Sequence, residues 1–261
     1  MPILRAMIRA EVFVAARNPI LRAVHTSLLG LGLLSITSCG GRPDPLPGFP
    51  RLMLWAWERP ERLSYVDPRS AGVAFLARTV QWRAGVVTSR PRYQPLELPP
   101  NIKVMAVIRL ESQTPPLPAV DRIAAEILKA AELPNVEAIQ IDFDARRSER
   151  GWYAELLQRV RSRLKPPLPL TMTALVSWCQ DNAWIQRLPV IDAVPMLFRM
   201  GAGEQRGASD FSAGICRSSL GISTDEVPWA VPHGRRLFVF HPKPWTPEAY
   251  RGALQLVRRL Q

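Results

Sequence analysis

The sequence predicts an α/β fold, a (β/α)8 TIM-barrel-like domain, on three observations. Eight short apolar runs of strand length follow one another between residues 52 and 240. Several are separated by stretches whose apolar residues recur at helical spacing. The part of the chain left after an N-terminal export signal is close to the size of one such barrel, typically about 250 residues.

The eight runs are Leu52–Trp57, Gly72–Arg78, Val104–Leu110, Ala138–Phe143, Leu170–Val176, Ala193–Phe198, Ser218–Ile222 and Arg236–Phe240. Each is bounded by turn residues, as strands are. Pro118–Leu133 places Val120, Ile123, Ala124, Ile127, Leu128 and Ala131 on one helical stripe. Ser148–Leu164 does the same with Trp152, Leu156, Val160 and Leu164, and Ser148 is its expected N-cap. Asp181–Leu188 and Thr246–Leu260 are further helices, the second opened by Thr246 before Pro247. Strands alternating with helices imply a parallel sheet with right-handed crossovers. Thr79–Lys103 lacks a helical stripe and is expected to form a hairpin or long loop. Gly201–Cys216 is rich in Gly and Ser and is expected to be a loop over the barrel mouth.

The N-terminus is organised for export. Residues 26–38 are apolar and uncharged, follow Arg17, Arg22 and His25, and end in Ile36-Thr37-Ser38-Cys39-Gly40. The run is short of the roughly 20 residues a membrane span needs and has the length of a signal-peptide core. Small residues before a cysteine resemble the bacterial lipobox. That resemblance implies cleavage of residues 1–38 and lipidation of Cys39, since only a thiol accepts the diacylglycerol. Residues 39–50 hold Pro43, Pro45, Pro47 and Pro50, the composition of a flexible tether. The barrel is then expected over 51–261, in the cell envelope, anchored to a membrane and facing periplasm or exterior. Gly40 after Cys39 favours the outer membrane.

The formal charge is +12, but no basic run occurs. An electrostatic footprint for nucleic acid is therefore absent. No metal-ligand spacing, nucleophile elbow or phosphate-binding glycine loop is present, so no metal or cofactor is expected. Cys179 follows the fifth run, at the mouth, and Cys216 precedes the seventh, towards the opposite end. A disulfide needs Cα atoms within about 7 Å, so these two are expected to stay unbonded.

Barrel enzymes place their chemistry at the carboxyl ends of the strands. In the fourth run Ile139, Ile141 and Phe143 share one face, and Gln140, Asp142 and Asp144 the other. The apolar face should meet the helices, leaving both aspartates in the lumen at its mouth. The neighbouring third run sets Arg109 and Glu111 beside them. Trp55, Trp57 and Glu58 end the first run, Ser177 and Trp178 the fifth, Arg199 the sixth and His241 the eighth. Carboxylates hold sugar hydroxyls or act as acid and base, and indole faces stack on pyranose rings. Asp142 and Asp144 are the candidate catalytic pair. Arg109, Glu111, Trp57, Glu58, Ser177, Trp178, Arg199 and His241 are the candidate ligand contacts.

Four strings, "LMLWAWERPERL", "IQIDFDARRSER", "LTMTALVSWC" and "VPMLFRMG", resemble the bacterial family known as domain of unknown function 3142. The resemblance spans roughly Leu52 to Pro242. It implies a glycoside-hydrolase-like barrel, often on lipoproteins, and supplies no reaction. More distantly, the fourth run is similar to the Asp-x-x-Asp-x-Asp-x-Glu strand of chitinase-type barrels. With Asp142 and Asp144 on its middle positions, Ile139 and Arg146 fill the outer ones, and the catalytic Glu is missing. In the other register Asp144 takes the acid position and Gln140 an aspartate position. The seventh run also lacks the Glu of retaining barrel glycosidases, and Glu226 comes four residues late. The expected function is binding or cleavage of a carbohydrate at the mouth. The alternative is a non-catalytic barrel serving as an envelope binding or scaffold lipoprotein.

Overall fold

The computed structural model describes residues 43–180, 182–199 and 210–260. Cys39 and the signal segment lie outside the described residues. In chain order the strands are β1 (Leu52–Ala56), β2 (Glu61–Arg62), β3 (Ala71–Arg83), β4 (Val86–Pro91), β5 (Leu96–Glu97), β6 (Val104–Thr114), β7 (Val136–Asp142), β8 (Leu170–Ala174), β9 (Asp192–Pro195), β10 (Ser219–Ser223) and β11 (Arg236–Phe240). The helices are α1 (Val120–Ala131), α2 (Arg150–Arg163), α3 (Val176–Gln180), α4 (Asn182–Ile185) and α5 (Pro247–Leu260). No helix among the described residues is long and apolar enough to cross a membrane.

Eight strands pair in parallel in the order β10-β11-β1-β3-β6-β7-β8-β9. The ring is nearly closed. A parallel bridge joins Met196, just past β9, to Gly221 on β10, and the Leu197 N–H donates to the Gly221 carbonyl at 2.7 Å. Gly221 is small for a reason: a methyl there would collide with the Met196 thioether. All eight expected runs contribute barrel strands, and α1 and α2 supply the crossovers from β6 to β7 and from β7 to β8.

Period-two alternation builds two apolar layers. Leu52, Leu54, Ile139, Ile141, Leu237 and Val239 face outwards and pack under the helices, meeting Ile123 and Ile127 of α1 and Leu156 and Val160 of α2. Met53, Trp55, Ala74, Met105, Val107, Ala138, Val194 and Phe238 fill the lumen. α5 is capped as expected: Thr246 Oγ1 accepts the Ala249 N–H at 3.2 Å.

Several expectations need correction. Residues 43–50 are not a free tether, because Leu46 and Phe49 are buried in the lumen's apolar layer. Arg236, the first residue of β11, is fully buried and holds this segment across the barrel floor. It donates to both Asp44 carboxylate oxygens (Nη2–Oδ2 2.9 Å) and to the carbonyls of Leu46, Phe49 and Pro50. Ser148 does not cap α2. It sits in a 3-10 turn, Arg147–Glu149, in which the Glu149 carboxylate accepts the Arg146 N–H at 2.8 Å and the Ser112 hydroxyl at 2.6 Å. The Thr79–Lys103 region does form a hairpin, as expected: β3 runs on to Arg83 and returns as β4, and the turn residues Ala84 and Gly85 both have positive φ, as a two-residue turn between twisted strands requires.

Cys179 and Cys216 form a disulfide, with Cα atoms 5.9 Å apart. The expectation failed because β8 stops at Ala174 and the chain turns into α3. Cys179 therefore leaves the mouth and packs in the outer layer. Residues Phe211–Cys216 pack there too: the Ala213 N–H and the Ser212 hydroxyl donate to the Cys179 carbonyl at 3.0 and 3.1 Å. This part of the expected mouth loop lies on the outer wall, and residues 201–209 lie outside the described residues.

Candidate functional site

The carboxyl ends of the barrel strands surround a cavity of about 540 Å³. Small-molecule sites commonly span about 300–1,000 Å³. Its wall is Trp55, Trp57, Arg109, Asp142, Asp144, Leu175, Val176, Ser177, Met196, Phe198, Arg199 and Phe240. Six candidate residues thus meet in one place: Trp57, Arg109, Asp142, Asp144, Ser177 and Arg199.

The floor is set by strand register. Arg109 of β6 pairs in register with Asp142 of β7, so both side chains point into the lumen. The guanidinium donates to Asp142 Oδ2 at 3.2 Å and to Glu111 Oε1 at 2.8 Å. Thr173 of β8 donates its hydroxyl to Asp142 Oδ1 at 2.8 Å. The Asp142 carboxyl is 13% exposed. Burial raises its pKa above the ordinary carboxylate value, and nearby Asp144 adds to this. The Arg109 charge and the Thr173 hydroxyl pull the other way without cancelling it. Burial alone would lower the Arg109 pKa, but Asp142 and Glu111 reverse this and raise it. Asp144, one step higher, is exposed at the cavity wall and has no hydrogen-bond or ion-pair partner among the described residues.

Aromatic rings line the other side. Trp55 and Trp57 lie 6.5 Å apart, Trp57 meets Phe240 edge-on at 6.2 Å, and Phe240 stacks on Phe198 at 5.5 Å. Two cations cover parts of this surface: Arg109 lies 5.2 Å from the Trp57 ring centre and Arg199 lies 5.0 Å from that of Phe240. Arg199 has a left-handed backbone, φ 52°, uncommon for a non-glycine residue. Its N–H donates to Glu226 at 2.8 Å, which holds the turn.

The remaining candidates lie elsewhere. Glu58 pairs with Arg90 at 2.7 Å, and with Glu111 it lines a second, smaller cavity beside the first. Trp178 is buried in the outer layer against Trp184, ring centres 5.0 Å apart, because it falls on α3 and not on a strand end. His241 points away from the lumen, as the residue after inward-facing Phe240 must. Its Nδ1 lies 2.7 Å from the Thr224 hydroxyl, and its ring leans on Trp245. Burial and the Arg59 charge lower its pKa. Trp55, placed at the mouth by its strand end, does line the cavity, whereas Met196, Phe198 and Phe240 were missing from the candidates, although alternation past β9 and along β11 carried the signal. Among the described residues no group of three or more His, Cys, Asp or Glu is placed to hold a metal ion.

No family model, curated protein or solved structure matches the chain.

Proposed function

We propose that the barrel mouth binds a saccharide, on an exported lipoprotein anchored through Cys39. The observation that carries this is the pairing, in one cavity, of an exposed carboxylate, Asp144, which has no hydrogen-bond or ion-pair partner among the described residues, with an indole and phenyl wall. Sugars present hydroxyls around the ring edge and C–H groups on its faces. A carboxylate accepts from the first, and an aromatic face packs on the second. Arg109 and Thr173 fix Asp142 beneath Asp144, so the floor keeps its shape before a ligand arrives. Membership of the domain of unknown function 3142 family is part of this proposal and rests on the four sequence strings.

A glycan array tests the reading directly. Wild-type protein is expected to bind a saccharide class. Asp144→Asn is expected to keep its melting temperature nearly unchanged, since Asp144 is exposed and makes no hydrogen bond or ion pair among the described residues, and to lose that binding. Unchanged binding in Asp144→Asn would remove the site.

Hydrolysis is a second reading, favoured by the raised pKa of Asp142. A carboxyl with a raised pKa suits a general acid, and Asp144, two residues on at the cavity wall, would then act as base or nucleophile. It is tested by reducing-end release from whichever saccharide binds, with Asp142→Asn expected to bind and not cleave.

A further inference from the structure

β3, β4 and β6 do not stop at the barrel rim. β1 pairs with β3 only as far as Phe75, and β7 pairs with β6 only as far as Arg109. Beyond these points β3 and β6 stay paired through Gln81↔Glu111 to Arg83↔Thr114, while β4 covers the far edge of β3. The three strands make a wall standing above one side of the mouth.

Registered neighbours on a sheet share a face. One row across the wall therefore reads Arg90, Thr79, Arg109 and Asp142, and the next reads Thr88, Gln81 and Glu111. The opposite face carries Val80, Trp82 and Leu110, all buried in the outer apolar layer. The polar rows thus continue the floor of the mouth outwards. They border the second cavity, about 160 Å³, which shares Trp57 and Arg109 with the first. Its charges are matched within the lining: Arg90 pairs with Glu58, which follows β1, and Arg109 with Glu111. What it offers a ligand is amide, hydroxyl and ion-paired groups with little net charge, which suits units rich in hydroxyls. A polar face on a protruding hairpin would by itself be a solvated surface. The shared Trp57–Arg109 boundary makes this one a continuation of a binding cavity.

Resting on the saccharide reading of the mouth, we propose that the ligand is a neutral oligosaccharide long enough to occupy both cavities, crossing Trp57 and Arg109 with its outer units against the β3–β4–β6 wall. Gln81 and Thr88 are then contacts for the outer units and have no part in holding the unit at Asp144.

The test is binding of a length series, one to six units, of β-1,4-linked glucose, N-acetylglucosamine and mannose oligomers to the full chain. In at least one series affinity should rise about tenfold between one unit and four, the gain from one or two added hydrogen bonds, and then level off. Gln81→Ala/Thr88→Ala should abolish that rise, bind the single unit as wild type does, and keep the wild-type melting temperature. Length-independent affinity in wild type, or a double variant that follows the wild-type curve, overturns the inference and leaves the mouth reading intact. Absence of binding at every length in all three series overturns both.

Discussion

Replacing Arg236 with Met should loosen the barrel floor, and the size of the effect can be worked out. The guanidinium is fully buried and reaches the Asp44 carboxylate and three main-chain carbonyls, those of Leu46, Phe49 and Pro50. Methionine keeps the stem and provides no donor. The Asp44 side chain is 36% exposed, so water can take over much of its solvation. The carbonyls of Leu46 and Phe49 lie deeper, and each unsatisfied buried group costs about 1–3 kcal/mol. The sum falls near the roughly 3–5 kcal/mol typical of breaking a buried pair. For a chain this size about 2–4 °C accompanies each kcal/mol, so the melting temperature should drop by about 6–20 °C. Thermal denaturation followed by circular dichroism measures it. Asp44→Asn, which disturbs only the half-exposed end, should lower it by a few degrees at most. Limited proteolysis should cut Arg236→Met, and not wild type, within residues 43–51. A drop under about 3 °C in Arg236→Met with no new cleavage would refute the account of residues 43–50 as a barrel floor.

Three further outcomes are expected. Non-reducing peptide mapping should recover the Cys179 and Cys216 peptides joined, and Cys216→Ser should cost about 2–4 kcal/mol, the usual range for a loop of this length; separate peptides would contradict the geometry. Burial raises the folded-state pKa of Asp142 above its unfolded value, so its contribution to stability is complete below the unfolded pKa and is lost as pH rises through the folded one. The melting-temperature difference between Asp142→Asn and wild type should therefore shift in favour of the variant from pH 3.5 to pH 7, and a shift the other way would mean that Arg109 dominates burial. Expression with labelled palmitate should label wild type and not Cys39→Ala; equal labelling of the two removes the lipid anchor.

The barrel was legible because a strand packed on both faces leaves a nearly continuous apolar run, and eight such runs stand out between turn residues. The floor of the site was legible for a related reason. Polar residues at every second position of β7 had to face the lumen, since unpaired carboxylates under α1 and α2 would be costly. Arg109 followed from strand adjacency. What the sequence hid depends on distant partners or on where a strand ends. Leu46 and Phe49 sit in a proline-rich stretch whose anchor, Arg236, lies about 190 residues away. Trp178 and Cys179 were misplaced together, because a strand two residues shorter than its apolar run turns them from the mouth to the outer wall. His241 could have been set aside by alternation alone, since Phe238 and Phe240 face the lumen.

Saccharide binding at the mouth is settled by a crystal structure of the protein soaked with the saccharide that binds best on the array. A sugar ring is expected in the mouth cavity, packed on the Trp57–Phe240 wall, with a hydroxyl within hydrogen-bond distance of Asp144. A saccharide bound away from the mouth, or one in the mouth that makes no contact with Asp144, would rule out the mouth as the binding site.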